Sequence, residues 1–75
     1  MTRFQVDDFV ALKSDIPELA LKAGVNGIVR ARWFSPTIAY EVEFHLEGLD
    51  KEVRALLLPE QVGVPPILPI KTKVR

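Results

Sequence analysis

The chain contains no cysteine, so it has neither disulfide bonds nor thiolate ligands for a metal ion. No apolar run approaches the roughly 18 residues of a membrane span. Two acidic residues, Asp7 and Asp8, stand where a signal peptide would have its apolar core. We therefore expect a soluble, cytoplasmic protein that carries no cofactor and no metal ion.

An excess of positive charge is also missing. Ten Lys and Arg residues balance ten Asp and Glu residues. Proteins whose main partner is nucleic acid usually show a basic excess or a long basic stripe. The balance therefore argues against a nucleic-acid partner and leaves another protein as the expected partner.

What the chain does have is alternation. Apolar and polar residues alternate almost perfectly over residues 38–44, between the turn residues Ser35-Pro36 and Glu47-Gly48. A period of two is typical of a strand with one buried face and one wet face. This segment is predicted to be the centre of a small antiparallel sheet.

Five strands are predicted along the 75 residues, which are enough for one domain. They cover residues 8–12, 27–34, 38–46, 51–58 and 62–64. A long ordered loop follows the first strand, Asn26-Gly27 is predicted to form a tight turn, and residues 59–61 suit a short 3₁₀ turn. This order predicts an all-β fold, a five-stranded SH3-like barrel over residues 1–64. Closure of such a sheet would remove its edges.

The alternation also predicts which side chains are buried. Seven apolar residues are expected to form the core: Val10, Leu12, Val29, Val42, Phe44, Val53 and Leu57. Trp33 is expected to join them, because it shares its phase with Val29 and Ala31. Phe34 then points outward beside the Ser35-Pro36 turn.

The order of short motifs resembles a family of small SH3-like proteins, common in cyanobacteria and related bacteria, that is catalogued as a domain of unknown function. The motifs are Val10-Ala11-Leu12, Asp15-Ile16-Pro17-Glu18, Leu21-Lys22-Ala23-Gly24, Gly27-Ile28-Val29 and Ala39-Tyr40-Glu41-Val42-Glu43-Phe44. The resemblance covers about residues 8–62. It implies the SH3-like fold, and it supplies no catalytic residue.

Charged residues are predicted to gather on the outer face of the sheet. Alternation places six of them there: Arg30, Arg32, Glu41, Glu43, Glu52 and Arg54. Cross-strand ion pairs explain such a face structurally, and recognition of a charged partner protein explains it functionally. We take Arg30, Arg32, Phe34 and Arg54 as candidate partner-binding residues.

Catalytic chemistry finds little support in the sequence. His45 is the only histidine and is predicted to lie on the outer face as a solvated strand residue. The carboxylate pairs Asp7-Asp8 and Glu41-Glu43 lack the cleft that general acid–base catalysis requires. We expect that the chain is not an enzyme.

Residues 65–75 form a tail of different composition, with Pro65, Pro66 and Pro69. Prolines favour an extended arm and exclude central-strand pairing. Ile67, Leu68 and Ile70 are candidate partner-binding residues there. Two alternatives stay open: the tail docks on a partner, or it covers the open end of its own barrel.

The sequence as a whole predicts a non-enzymatic protein–protein interaction module, an accessory or assembly subunit of a larger complex. Two alternatives remain. The first is a nucleic-acid-binding barrel, since Gly24-x-x-Gly27-x-Val29 is similar to the glycine step of barrels of the KOW type. The second is an antitoxin-like or regulatory partner encoded beside its target.

Overall fold

A computed structural model describes residues 4–46 and 52–65 of the chain. They form one antiparallel sheet of five strands: β1 (Phe9–Leu12), β2 (Asn26–Trp33), β3 (Ala39–His45), β4 (Glu52–Leu57) and β5 (Val62–Gly63). The order across the sheet is β4-β3-β2-β1-β5, and the sheet curls into a half-barrel. The predicted all-β, SH3-like architecture is confirmed, including the 3₁₀ turn Pro59–Gln61 directly before β5.

The alternating segment lies where the sequence predicts. β3 is the strand between β2 and β4, and its Val42 pairs with Val29 on one side and Ala55 on the other. Val42 and Phe44 are fully buried. The described residues contain no helix long and apolar enough to cross a membrane.

The core contains six of the seven predicted residues in fully or almost fully buried positions, and Val53 is half-buried against them. Phe4 joins the core from before the first strand. Its ring meets that of Tyr40 edge-on, with the centroids 5.7 Å apart, and its backbone N–H donates to the Tyr40 hydroxyl over 3.3 Å. The amino-terminal segment therefore covers one end of the half-barrel.

The long first loop is ordered by its own contacts. A 3₁₀ turn, Pro17–Leu19, is bracketed by a bridge between Ile16 and Leu21. Gly24 has a φ of +96°, a conformation that residues with a Cβ rarely adopt. The loop thus returns the chain to the sheet through a glycine-dependent turn.

The expected Asn26-Gly27 turn is wrong. Both residues lie inside β2, and Gly27 is buried opposite Val10 and Phe44. A Cβ at Gly27 would lie 2.6 Å from Val42 Cγ1 and 2.8 Å from the Phe44 ring. Glycine is required here because the Phe44 ring packs onto the backbone of β2, and not because a turn needs positive φ.

The sheet keeps two ends. β4 and β5 do not pair with each other along the described strands, so the expected removal of edges by closure does not occur there. Pro65, the first residue of the predicted tail, is buried. Residues 66–75, including Ile67, Leu68 and Ile70, lie outside the described residues.

Candidate functional site: the outer face of β2, β3 and β4

A β-bulge in β2 decides which side chains reach the outer face. The pairing of β2 with β3 shifts between Val29, which faces Val42, and Ala31, which faces Glu41. Arg30 is the additional residue. An additional residue reverses the alternation that follows it, so Ala31 and the rest of β2 change sides.

The bulge overturns the prediction that Trp33 is buried. Trp33 pairs with Ala39 on the same side as Ala31 and Glu41, and 52% of it is exposed. Phe34 is exposed to a similar extent, 54%, as predicted. Two consecutive aromatic residues therefore face solvent where the sequence predicts one.

Trp33 lines a shallow concavity of about 290 Å³ on the outer face, together with Glu41, Arg54, Ala55 and Leu56. Leu56 is 65% exposed. Three of its five lining residues are apolar, and the other two form an ion pair in which Arg54 Nη1 lies 3.2 Å from Glu41 Oε2. Such a surface could accommodate an apolar side chain of a binding partner, with a polar group of the partner next to the ion pair.

Glu43 is the centre of a second feature of the outer face, which we call the Glu43 network. Its Oε1 accepts hydrogen bonds from Arg30 Nε at 3.1 Å and Arg54 Nη2 at 3.2 Å. Its Oε2 lies 2.5 Å from His45 Nε2. Only 5% of the residue is exposed, and these partners replace the water that burial removes.

The network changes the ionisation of its members. The hydrogen bond from Arg30, followed by that from His45, lowers the pKa of Glu43 below its ordinary value. The hydrogen bond to Glu43 in turn raises the pKa of Arg30. Both groups are therefore held in their charged forms at neutral pH.

Arg30 and Arg54 extend the network to other carboxylates. Arg30 Nη1 lies 3.1 Å from Asp7 Oδ1, and Arg54 Nη2 lies 4.0 Å from Glu52 Oε2. Asp7 reaches this position from a turn in which its own φ is 77° and its N–H bonds to Val29. The predicted cross-strand ion pairs are present, and the two arginines are neutralised by them.

Arg32 does not share the outer face with Arg30, contrary to the sequence prediction. After the bulge it pairs with Tyr40, whose side chain points into the core. The Arg32 guanidinium lies 5.3 Å from the centre of the Phe34 ring, and its Nη1 donates to the carbonyl of Phe4 over 3.4 Å. Arg32 and Phe34 therefore form a separate cation–π pair near the amino-terminal segment.

Three side chains have donor atoms close enough to surround a metal ion. The ligand atoms of Glu43, His45 and Glu52 all lie within 4.8 Å of one another. Both carboxylate oxygens of Glu43 already accept hydrogen bonds: Oε1 accepts from two arginines and Oε2 from His45. Two guanidinium groups on the same carboxylate oppose the approach of a cation, so the arrangement is an ion-pair network.

The sequence does not single out Trp33 or Leu56 as binding residues. Leu56 carries a usable signal, because Val53 and Leu57 are predicted to be buried and alternation then turns the residue before Leu57 outward. Trp33 has none, because Val29-Arg30-Ala31-Arg32 alternates without interruption across the bulge. Ile67, Leu68 and Ile70 lie outside the described residues and stay predictions.

Comparisons with protein-family models, with curated proteins and with solved structures find no match to this chain. The resemblance to the cyanobacterial SH3-like family therefore stays a prediction from the motifs. The function must be argued from the geometry described above.

Proposed function

We propose that the chain is a non-enzymatic protein-binding module, an accessory or assembly subunit that docks through the concavity between Trp33 and Leu56. One observation carries this proposal: two large apolar side chains, 52% and 65% exposed, line the same depression on the face that also carries the Glu43 network. Tryptophan is among the residues that most often dominate the energy of protein interfaces. A partner that inserts an apolar side chain there would cover both residues.

The rim of the concavity supports a protein partner of defined orientation. Arg54 is half-exposed, and Glu41, to which it is paired, is about one-third exposed. Charges at the edge of an interface mainly set its orientation and association rate. Because the rim carries both signs, the matching partner surface carries an apolar anchor beside a polar or charged group.

The charge of the outer face favours protein over nucleic acid. Four carboxylates surround its two arginines, and each arginine is bonded to at least one of them. Phosphate groups would have to displace those carboxylates. The KOW-like alternative therefore gains no support from the arginines that suggested a binding surface.

The experiment is affinity capture with the full-length chain, with and without nuclease. Trp33→Ala and Leu56→Ser are each compared with Val64→Ser, a control in which the replaced residue is also 65% exposed but follows β5 at the other end of the sheet. We expect a nuclease-resistant protein partner to be bound by wild type and by Val64→Ser, and to be lost from the two concavity variants.

Thermal melts accompany the capture. Trp33 is 52% exposed and Leu56 65% exposed, so their replacement removes some buried apolar area and should lower the free energy of unfolding by at most about 2 kcal/mol, which leaves the chain folded. Equal capture by all four proteins, or capture that nuclease abolishes, would reject the proposal.

A further inference from the structure

Within residues 4–46 and 52–65, no strand pairs with the outward edge of β4. β4 is the last strand of the sheet, and its six residues pair with β3 in an unbroken register from Glu52 to Leu57. It contains no proline and has no bulge, and the two charged residues that it carries, Glu52 and Arg54, lie on its outer side in ion pairs with each other and with β3. Every second residue of such a strand turns its N–H and C=O groups away from its only neighbour. The edge is therefore a template for one more strand.

The two sides of β4 define which strand would fit. On the inner side, Val53, Ala55 and Leu57 belong to or border the core. On the outer side β4 presents Glu52, Arg54 and Leu56, and Arg54 is held by Glu41 and Glu43 of β3, so three carboxylates surround one arginine next to this edge. A matching strand has apolar residues on one face and basic residues on the other.

The end of this chain has that pattern. Residues 70–75 read Ile-Lys-Thr-Lys-Val-Arg, six residues like β4 itself. Their odd and even positions separate completely: β-branched Ile70, Thr72 and Val74 on one phase, Lys71, Lys73 and Arg75 on the other. β-Branched residues favour strands, and the last proline, Pro69, comes before the segment.

Strand directions show which molecule the segment would reach. β1 and β3 are both antiparallel to β2, while β4 is antiparallel to β3 and β5 to β1. β4 and β5 therefore run in the same direction. To lie antiparallel along its own β4, the chain would have to reverse within residues 66–69, which begin and end with proline and favour an extended arm.

We propose that residues 70–75 of one chain add as a strand to the β4 edge of a second copy, with the basic residues on the outer face and the β-branched residues beside Val53 and Leu57. Reciprocal exchange of the two arms gives a closed two-fold dimer. This association uses the edge of β4, whereas the partner proposed above uses the concavity on its face.

The test measures the oligomeric state of the full-length chain by analytical ultracentrifugation over a concentration series. Glu52→Lys places a like charge opposite the basic arm, and in the part of the chain that the structure describes Glu52 loses one ion pair, to Arg54 at 4.0 Å. We expect the dimer dissociation constant to rise about tenfold. Reversal of Lys71, Lys73 and Arg75 to glutamate should weaken the dimer as well, and combining it with Glu52→Lys should restore much of the loss.

Glu60→Lys is the matched control, because Glu60 is an exposed acid in the turn before β5. Glu60→Lys should leave the dimer dissociation constant unchanged. Trp33→Ala should also leave this constant unchanged and should reduce only the capture of the partner protein. A wild-type chain that stays monomeric throughout the series would overturn the proposal, whether or not the arm covers its own β4. Equal weakening by Glu60→Lys and Glu52→Lys would also overturn it, by showing non-specific attraction.

Discussion

The two ends of the sheet differ in the length and regularity of their terminal strands. β5 has two residues and lies between the 3₁₀ turn Pro59–Gln61 and the buried Pro65. β4 has six residues, a regular register and an exposed leucine next to a concavity. A short strand flanked by prolines offers few groups for pairing. The proposed contacts therefore lie on the β4 side.

Within the β4 side, the charged and the apolar side chains of the outer face differ in the same way. The arginines and carboxylates of the Glu43 network bond to one another. Trp33 and Leu56 have no comparable cover among the described residues. Charged groups that neutralise each other hold the strands together, whereas apolar groups left in water have free energy to gain from a partner.

The largest effect is expected where the β4 side is attached to the core. Phe44→Ala removes a fully buried ring from β3 that packs over Gly27 and pairs with Val53 of β4. The loss of contacts and the resulting cavity should cost about 3–5 kcal/mol, most of the stability of a domain of this size. Urea unfolding measures it, with Phe44→Leu as a control that leaves a smaller cavity. A nearly unchanged midpoint for Phe44→Ala would contradict the described core.

A smaller effect is expected from the Glu43 network, through pH. The pKa of Glu43 is lowered in the folded chain, so the unfolded chain binds this proton more tightly. Its stabilising contribution is complete above the ordinary glutamate pKa of about 4.3. It declines as the pH falls from there through the lowered folded value.

Glu43→Gln removes that contribution. We expect the variant to be less stable than wild type at pH 7 and to lose less stability than wild type between pH 5 and strongly acidic solution, as measured by urea unfolding at each pH. Glu18→Gln, the same substitution in the exposed 3₁₀ turn of the first loop, is the control. Parallel pH curves for Glu43→Gln and wild type would show that the network does not hold this carboxylate in its charged form.

The sequence predicts the parts of this fold in which each residue obeys a local rule. The alternation in β3 identifies Val42 and Phe44 as core, and the turn residues mark the strands and the 3₁₀ turn before β5. The alternation rule fails at Arg30, where a bulge interrupts β2 although the apolar–polar pattern of the sequence continues. The predicted facing of every later residue in β2, including Trp33, is therefore reversed. A bulge is fixed by the register of two strands and leaves no mark in one of them.

The sequence misplaces Gly27 and does not identify Phe4 as a core residue, because both positions depend on residues that are distant in the chain. Asn-Gly is a turn signal by composition, but the ring of Phe44 requires a glycine opposite it within the strand. Phe4 precedes the first strand, and only its edge-on contact with Tyr40, 36 residues later, makes it part of the core. Long-range contacts of this kind decide between local alternatives of similar free energy.

Amide hydrogen exchange tests most directly whether intermolecular contacts form on the β4 side of the sheet. Deuterium uptake is measured for the dilute full-length chain, alone and with the captured partner, and again at a concentration at which it associates. We predict slower exchange over residues 52–58, which contain β4, and unchanged exchange over residues 61–65, which contain β5. Slower exchange confined to residues 61–65 would contradict this prediction.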